Sequence, residues 1–171
     1  MGSWSYGDMT KESIKFVAKT TLLYTFTYLF VGAIAYQLLT KQFYVGDGSI
    51  ITMFLRSESN PSQWTHVLQW QFPMLFLRSL LIALVILPFI NVLQTFSFKK
   101  RALVIFSLLF VLVHLAAAAP SPGNIEGFVY MRPELMSPKT FLLVQPEMIA
   151  QTVLFAISTA YIISKQPKQT S

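Results

Sequence analysis

The chain has 171 residues and a formal net charge of +6; 54% of its residues are hydrophobic and only 12% are charged. Soluble domains carry roughly twice that share of charged residues, and a soluble domain of this length could not bury so much apolar surface. The composition therefore excludes a water-soluble enzyme, a nucleic-acid-binding domain and a disordered chain. The chain contains no cysteine, which excludes disulfide scaffolds and thiolate metal sites.

Four long gaps between charged residues predict four transmembrane helices. In chain order the gaps contain 21, 20, 24 and 17 residues, and a helix needs about 20 apolar residues to cross a bilayer. Lipid favours helices because they satisfy their backbone hydrogen bonds internally. We therefore expect an all-α integral membrane protein, a single four-transmembrane-helix bundle with spans at about residues 20–39, 72–96, 102–119 and 147–164.

The first span follows a basic segment, and Ala33-Ile34-Ala35 resembles the cleavage site of a signal peptide. The apolar run continues to Leu39, which favours an uncleaved span. Polar side chains also run along this span, and we expect its threonines to bond back to their own helix. These polar residues are Thr20, Thr21, Tyr24, Thr25, Thr27 and Tyr28.

The first outer loop, about residues 40–71, is expected to be ordered, with a short interfacial helix at residues 49–55. Asn60-Pro61-Ser62 predicts a helix start, because asparagine caps helices and proline is favoured at the first helical position. Pro73 and Pro88 predict a bend in the second span.

The second and third spans are joined by a short basic link that contains Lys99, Lys100 and Arg101. A link of this length predicts that the two spans form a tight antiparallel pair. We expect the three basic residues to set the topology, and each to tolerate replacement by glutamine.

The second outer loop, about residues 120–146, is also expected to be ordered, and its most individual stretch is residues 120–134, which contains three prolines and two glycines. Apolar residues 141–143 are expected to fold back onto the outer rim of the bundle. Pro146 and Glu147 predict the start of the fourth helix, because proline and an acid both suit a first turn.

The basic residues are distributed unequally between the two sides of the predicted bundle. Eight lie on the side of the termini and four lie in the two outer loops, which by the positive-inside rule places both termini in the cytoplasm. This topology predicts an integral protein of the plasma (inner) membrane with two extracytoplasmic loops. The eight residues are Lys11, Lys15, Lys19, Lys99, Lys100, Arg101, Lys165 and Lys168.

Arg78 lies inside the second span, one or two turns from its predicted outer end. A charged residue in a span costs about 2.5 to 3.5 kcal/mol on insertion scales and is a functional candidate by default. The structural alternative is that Arg78 reaches the interface or pairs with an acid to fix the packing. We expect its partner to be Glu126, Glu134 or Glu147.

The other candidate site residues are also predicted near the outer side. His114 and Glu126 are the candidate catalytic groups, with one of them as a general base, and Arg78, Arg132 and Glu147 are the candidate ligand-binding groups. The structural alternative for His114 is a hydrogen bond to a neighbouring helix. No metal site or cofactor is expected, because only two histidines are present and their predicted depths differ.

Three function classes follow from the sequence, and no named catalytic motif selects among them. The first is a non-catalytic accessory, scaffold or immunity-type subunit with its polar surface at the extracytoplasmic face. The second is an outer-leaflet enzyme acting on a lipid or lipid-linked head group, and the third is a small transporter or channel subunit. The expected partners are membrane lipids and a membrane protein or a second copy of the chain.

Overall fold

The computed structural model describes residues 11–45, 56 and 58–166, and the regular structure of these residues is helical throughout. The interfacial helix predicted at 49–55 lies outside them. Two π-helical segments, Tyr36–Thr40 and Phe110–Leu115, extend the first and fourth α-helices, and two 3-10 segments span Lys41–Phe43 and Leu87–Phe89. The α-helices are α1 Lys11–Ala35, α2 Pro61–Ile86, α3 Ile90–Thr95, α4 Phe98–Leu109, α5 Ile125–Tyr130 and α6 Pro138–Ser164.

Three helical runs in the described residues are long and apolar enough to cross a membrane, and they indicate an integral membrane protein. They are Lys11–Phe43, Pro61–Thr95 and Pro138–Ser164, and they contain the first, second and fourth predicted spans. A fourth helical run, formed by α4 and the π-helical segment after it, covers most of the third predicted span. The first turn of this run contains three basic residues, Lys99, Lys100 and Arg101.

The first helix has its polar side chains inside and its large apolar side chains outside. Thr20 and Thr21 are buried, whereas Leu22 and Phe26 are 60% and 65% exposed. A helix in water has the opposite arrangement. The exposed leucine and phenylalanine side chains therefore suit contact with lipid.

Helix starts follow local capping chemistry. The Asn60 Oδ1 atom accepts a hydrogen bond from the Gln63 backbone N–H over 3.3 Å, which confirms the predicted start of α2 at Pro61. The predicted start of the fourth helix at Pro146 is wrong. Ser137 caps α6 by accepting from the Thr140 N–H over 3.1 Å, so Pro146 lies inside the helix.

The two prolines of the second span and the apolar residues 141–143 were each given a prediction from the sequence. Regular α-helix is interrupted by a 3-10 segment at Pro88, as expected, whereas Pro73 lies within α2. Residues 141–143, which were expected to fold back onto the rim, lie in the first turns of α6.

The helices pack in an order that differs from their order in the chain. Helix α1 packs against both α2 and α6, and α4 packs against α6. The predicted tight antiparallel pairing of the second and third spans is therefore wrong, because α2 and α4 make little direct contact. The connection through α3 carries the chain across to α6.

Arg101 holds this connection in place. Its side chain is buried, and its Nε and Nη1 atoms donate to the carbonyl oxygens of Leu93 and Ala160 over 2.7 and 2.9 Å. Its Nη2 atom donates to Gln94 and Phe96 over 3.4 and 3.1 Å. The expectation that Arg101 acts only through topology and tolerates glutamine is contradicted by these contacts.

Candidate functional site

A set of polar side chains, here called the interior cluster, lies between α1, α2, α6 and the π-helical segment after α4. Within the run Pro61–Thr95, Arg78 has 17 residues on each side, and within Pro138–Ser164, Gln151 has 13 on each side. The cluster therefore lies at mid-length of the long apolar helices. It consists of Tyr24, Tyr28, Arg78, His114, Glu147 and Gln151.

The Arg78 guanidinium lies over two aromatic rings of α1. Its central carbon is 5.4 Å from the ring centroid of Tyr28 and 5.8 Å from that of Tyr24, within the range of a cation–π interaction. Among the described residues, no carboxylate oxygen lies within 4.0 Å of a nitrogen atom of this side chain, so Arg78 forms no ion pair with them. The predicted pairing with Glu126, Glu134 or Glu147 is therefore not formed, and tyrosines take the place of the acid.

Arg78 lies near the middle of the helical run Pro61–Thr95, because α2 begins at Pro61, eleven residues before the predicted span. Its depth in a membrane stays a prediction. Tyr24, one of its two ring partners, is only 7% exposed and packs edge-on against Phe155 of α6, with ring centroids 4.8 Å apart. The Arg78 guanidinium thus packs against the Tyr24 and Tyr28 rings, and the Tyr24 ring is buried.

A small cavity of about 10 Å³ lies beside these two tyrosine rings. That volume is close to the minimum that holds one water molecule. His114 lines this cavity together with Tyr24 and Tyr28, the two rings that the Arg78 guanidinium overlies. The cavity is lined by Tyr24, Thr27, Tyr28, Leu109, His114, Gln151 and Thr152.

Glu147 lies one helical turn from Gln151 along α6. Its Oε1 atom accepts a hydrogen bond from Gln151 Nε2 over 3.1 Å, and both side chains pack against Gly32 of α1. Beyond Glu147 lies Tyr44, where burial raises the pKa of the hydroxyl and the nearby Glu147 carboxylate raises it further. Glu147 thus lies between the cavity and the loop end of the first helix.

The remaining two candidates lie apart from the cluster. Glu126 is partly buried in the first turn of α5, and Arg132 is exposed just after that helix. No hydrogen bond or ion pair in the described part of the chain joins either of them to Arg78, His114 or Glu147. The structure therefore brings together three of the five sequence-predicted site residues.

The loop before α5 is organised by Asn124, a residue that was not among the candidate site residues. Asn124 is fully buried, and its Oδ1 atom accepts from the backbone N–H groups of Ser121 and Gly127 over 3.1 and 2.7 Å. Its Nδ2 atom donates to the carbonyl oxygens of Ala117 and Ala119 over 3.2 and 2.7 Å. The sequence signal was an asparagine directly before Ile125-Glu126, the N-cap position of a short helix.

This loop is fastened to α6. The Gln145 side chain donates to the carbonyl oxygen of Gly123 over 3.0 Å, and Gly123 lies directly against the Met148 side chain. Gly127 lies so close to the Ser121 backbone that any larger residue would clash there. The loop therefore contacts α6 at Gln145 and Met148, on either side of Glu147 in the sequence.

No group of three or more histidine, cysteine, aspartate or glutamate side chains in the described ranges could hold a metal ion. Comparisons with protein-family models, curated proteins and solved structures find no match to this chain. The interior cluster, with Arg78 at its centre, is the candidate functional site.

Proposed function

We propose that the protein is a small transporter or channel subunit that binds a small inorganic anion in the interior cluster. The single observation that carries this proposal is Arg78, a cation at mid-length of an apolar helix that stacks on Tyr24 and Tyr28. An arginine within a membrane span costs free energy unless a partner compensates its charge. An anion supplies that compensation.

The chemistry around Arg78 suits a small anion. Cation–π contacts use the face of the guanidinium and leave its N–H groups free to donate. His114 adds a second nitrogen donor, and the Gln151 amide and Thr152 hydroxyl border the adjacent cavity. That cavity has a volume of about 10 Å³.

Glu147 is the one acid of the cluster, and its position agrees with this proposal. Its carboxylate accepts from Gln151 and lies against Gly32, on the side of the cluster toward Tyr44. An anion would therefore bind on the Arg78 and His114 side, away from the carboxylate, where electrostatic repulsion is weakest.

The membrane arrangement that we propose has four spans with both termini in the cytoplasm of a plasma (inner) membrane. Three spans correspond to the long apolar runs, and the fourth is formed by α4 with its π-helical extension. The excess of basic residues near the termini and in the link before α4 supports this orientation.

Thermal unfolding of the purified protein in detergent tests the binding. We expect potassium chloride, fluoride or nitrate to raise the Tm saturably relative to potassium gluconate at equal ionic strength, because a ligand that binds only the folded state stabilises it. Arg78→Gln should abolish this rise, and Lys100→Gln, which removes an exposed cation far along the chain from the cluster, should retain it. Equal rises in wild type and Arg78→Gln would overturn the proposal.

A second candidate function is an accessory, scaffold or immunity-type subunit, and the packing of α2 favours it. Helix α2 packs chiefly against α1, and Leu81 and Val85 on its surface are 55% and 66% exposed. This face could bind a transmembrane helix of a partner. Native mass spectrometry of gently extracted protein should then show a second polypeptide in stoichiometric amount; a lone chain would count against this candidate.

The outer-leaflet enzyme needs Glu126 and Arg132 beside Arg78. The described contacts do not support that arrangement, because Arg78 stacks on the tyrosines of α1 and the two loop residues lie elsewhere. We therefore place this function behind the other two.

A further inference from the structure

Beyond the interior cluster, further buried hydroxyl groups lie toward the end of the bundle where α1 begins and α6 ends. Ser79, which follows Arg78, is fully buried, and its Oγ atom lies 2.8 Å from Thr25 Oγ1 across the α1–α2 interface. The Ser79 hydroxyl donates to the Leu75 carbonyl oxygen over 2.6 Å. The polar character of the interior therefore extends past Arg78 on both α1 and α2.

Three further buried hydroxyls have no hydrogen-bond partner among the residues that the structure describes. They belong to Thr20, Thr21 and Thr159, whose exposures are 0%, 1% and 0%. A buried hydroxyl without a partner costs free energy, so such groups in native proteins are usually paired with water or a bound ligand. These three hydroxyls therefore have hydrogen-bonding capacity for a water molecule or a small ion.

The antiparallel packing of α1 and α6 places two of these threonines at the same level. Tyr24 and Phe155 are in contact between the two helices. One helical turn toward the start of α1 leads to Thr20, and one turn toward the end of α6 leads to Thr159. Both steps run in the same direction, away from the cavity and toward the end of the bundle that holds Arg101.

Polar groups also continue in the opposite direction. Gln151 borders the cavity, Glu147 accepts from Gln151, and Tyr44 lies within electrostatic reach of Glu147. Near this end the Tyr36 and Tyr44 rings pack edge-on, with centroids 5.5 Å apart. The polar side chains thus run from Tyr44 through the interior cluster to Thr20 and Thr159.

We propose that these side chains line a permeation path for the small anion, which leads from Tyr44 past Arg78 to Thr20 and Thr159. The inference rests on the proposed function and adds to it that the bound anion passes through the protein. Arg78 attracts the anion at the middle of the path. Between Arg78 and the end at Thr20 and Thr159, the threonine hydroxyls donate hydrogen bonds to the anion in place of water.

The two π-helical segments flank the other half of this path. Tyr36–Thr40 lies between the cluster and Tyr44, and Phe110–Leu115 carries His114. Such segments occur frequently at functional sites, because their wider turns alter the direction of side chains.

Chloride efflux from proteoliposomes tests the path. Vesicles loaded with potassium chloride and treated with valinomycin should release chloride when they contain the wild-type protein. Thr159→Val keeps the shape of the side chain and removes the hydroxyl, so it should lower the efflux at least tenfold while the chloride-dependent rise in Tm is retained. Thr65→Val is the matched control, since Thr65 is exposed on α2 and bonds only to the Pro61 carbonyl oxygen.

The outcomes separate this inference from the function on which it rests. A chloride-dependent rise in Tm without efflux from wild-type vesicles would overturn the path and leave the binding function intact. Wild-type efflux that is unchanged by Thr159→Val would also overturn the path. The absence of both binding and efflux would overturn the function and the path together.

Discussion

Arg101 Nη1 donates a hydrogen bond to the carbonyl oxygen of Ala160 over 2.9 Å, and this contact ties the start of α4 to α6. The same side chain also donates to the carbonyl oxygens of Leu93, Gln94 and Phe96 at the end of α3. One buried cation therefore joins three helices at the end of the bundle where α1 begins and α6 ends.

We predict that Arg101→Gln lowers the free energy of unfolding by about 2 to 3 kcal/mol, because charged hydrogen bonds are lost and buried carbonyl oxygens are left without donors. Lys100→Gln should change it by less than about 0.5 kcal/mol, since Lys100 is exposed and only overlies the Phe96 ring. Thermal or denaturant unfolding in detergent measures both. Equal stabilities of the two variants would contradict the capping role of Arg101.

Asn124 and Asn60 both cap helices, and the same substitution should affect them differently. Asn124→Asp keeps the accepting oxygen but removes the donor to Ala117 and Ala119, and it places a carboxylate beside two carbonyl oxygens. We expect a loss of about 2 kcal/mol in unfolding free energy. Asn60→Asp should be neutral or slightly stabilising, because Asn60 accepts from Gln63 and Ser62. A neutral Asn124→Asp would contradict the role assigned to the Asn124 amide.

Two glycines should differ in their tolerance of alanine. At Gly127 a methyl group would collide with the Ser121 backbone, so Gly127→Ala should disrupt the loop and reduce the yield of folded protein. At Gly32 the nearest atoms would lie at 3.5 and 3.6 Å, an ordinary contact with Glu147 and Gln151. Gly32→Ala should therefore leave the Tm within a few degrees of wild type, as size-exclusion chromatography and thermal unfolding would show. A lower Tm for Gly32→Ala than for Gly127→Ala would refute this assignment.

A double-mutant cycle on Thr25 and Ser79 measures the hydroxyl contact between α1 and α2. We expect a coupling free energy of about 0.6 kcal/mol between Thr25→Val and Ser79→Ala, the average for hydrogen bonds between membrane helices. Additive effects would mean that the 2.8 Å contact contributes nothing beyond each hydroxyl's bond to its own helix.

The absence of cysteine allows the proposed orientation to be tested with single cysteines. A membrane-impermeant thiol reagent added outside intact cells should label a cysteine at position 126 and should not label one at position 100. Labelling of position 100 from outside, or of position 126 only after the membrane is opened, would refute the orientation with both termini in the cytoplasm.

Local signals in the sequence predicted the helices well. Gaps between charges marked each long apolar helix, and Asn60-Pro61 marked the start of α2, because hydropathy and capping depend on a few neighbouring residues. The start of α6 was misplaced because two prolines, Pro138 and Pro146, both suit a first helical turn, and only Pro138 is preceded by a residue that caps.

Contacts between distant residues were decided by tertiary structure. The pairing of α4 with α6, the burial of Arg101 and the tyrosine partners of Arg78 all join residues far apart in the chain. Loop length does not determine which helix faces which, because several packings bury the same apolar area. The sequence by itself determined that long apolar helices form and where charges interrupt them. Only packing placed the Arg78 guanidinium over the rings of Tyr24 and Tyr28, since that contact depends on how α1 and α2 are aligned with one another.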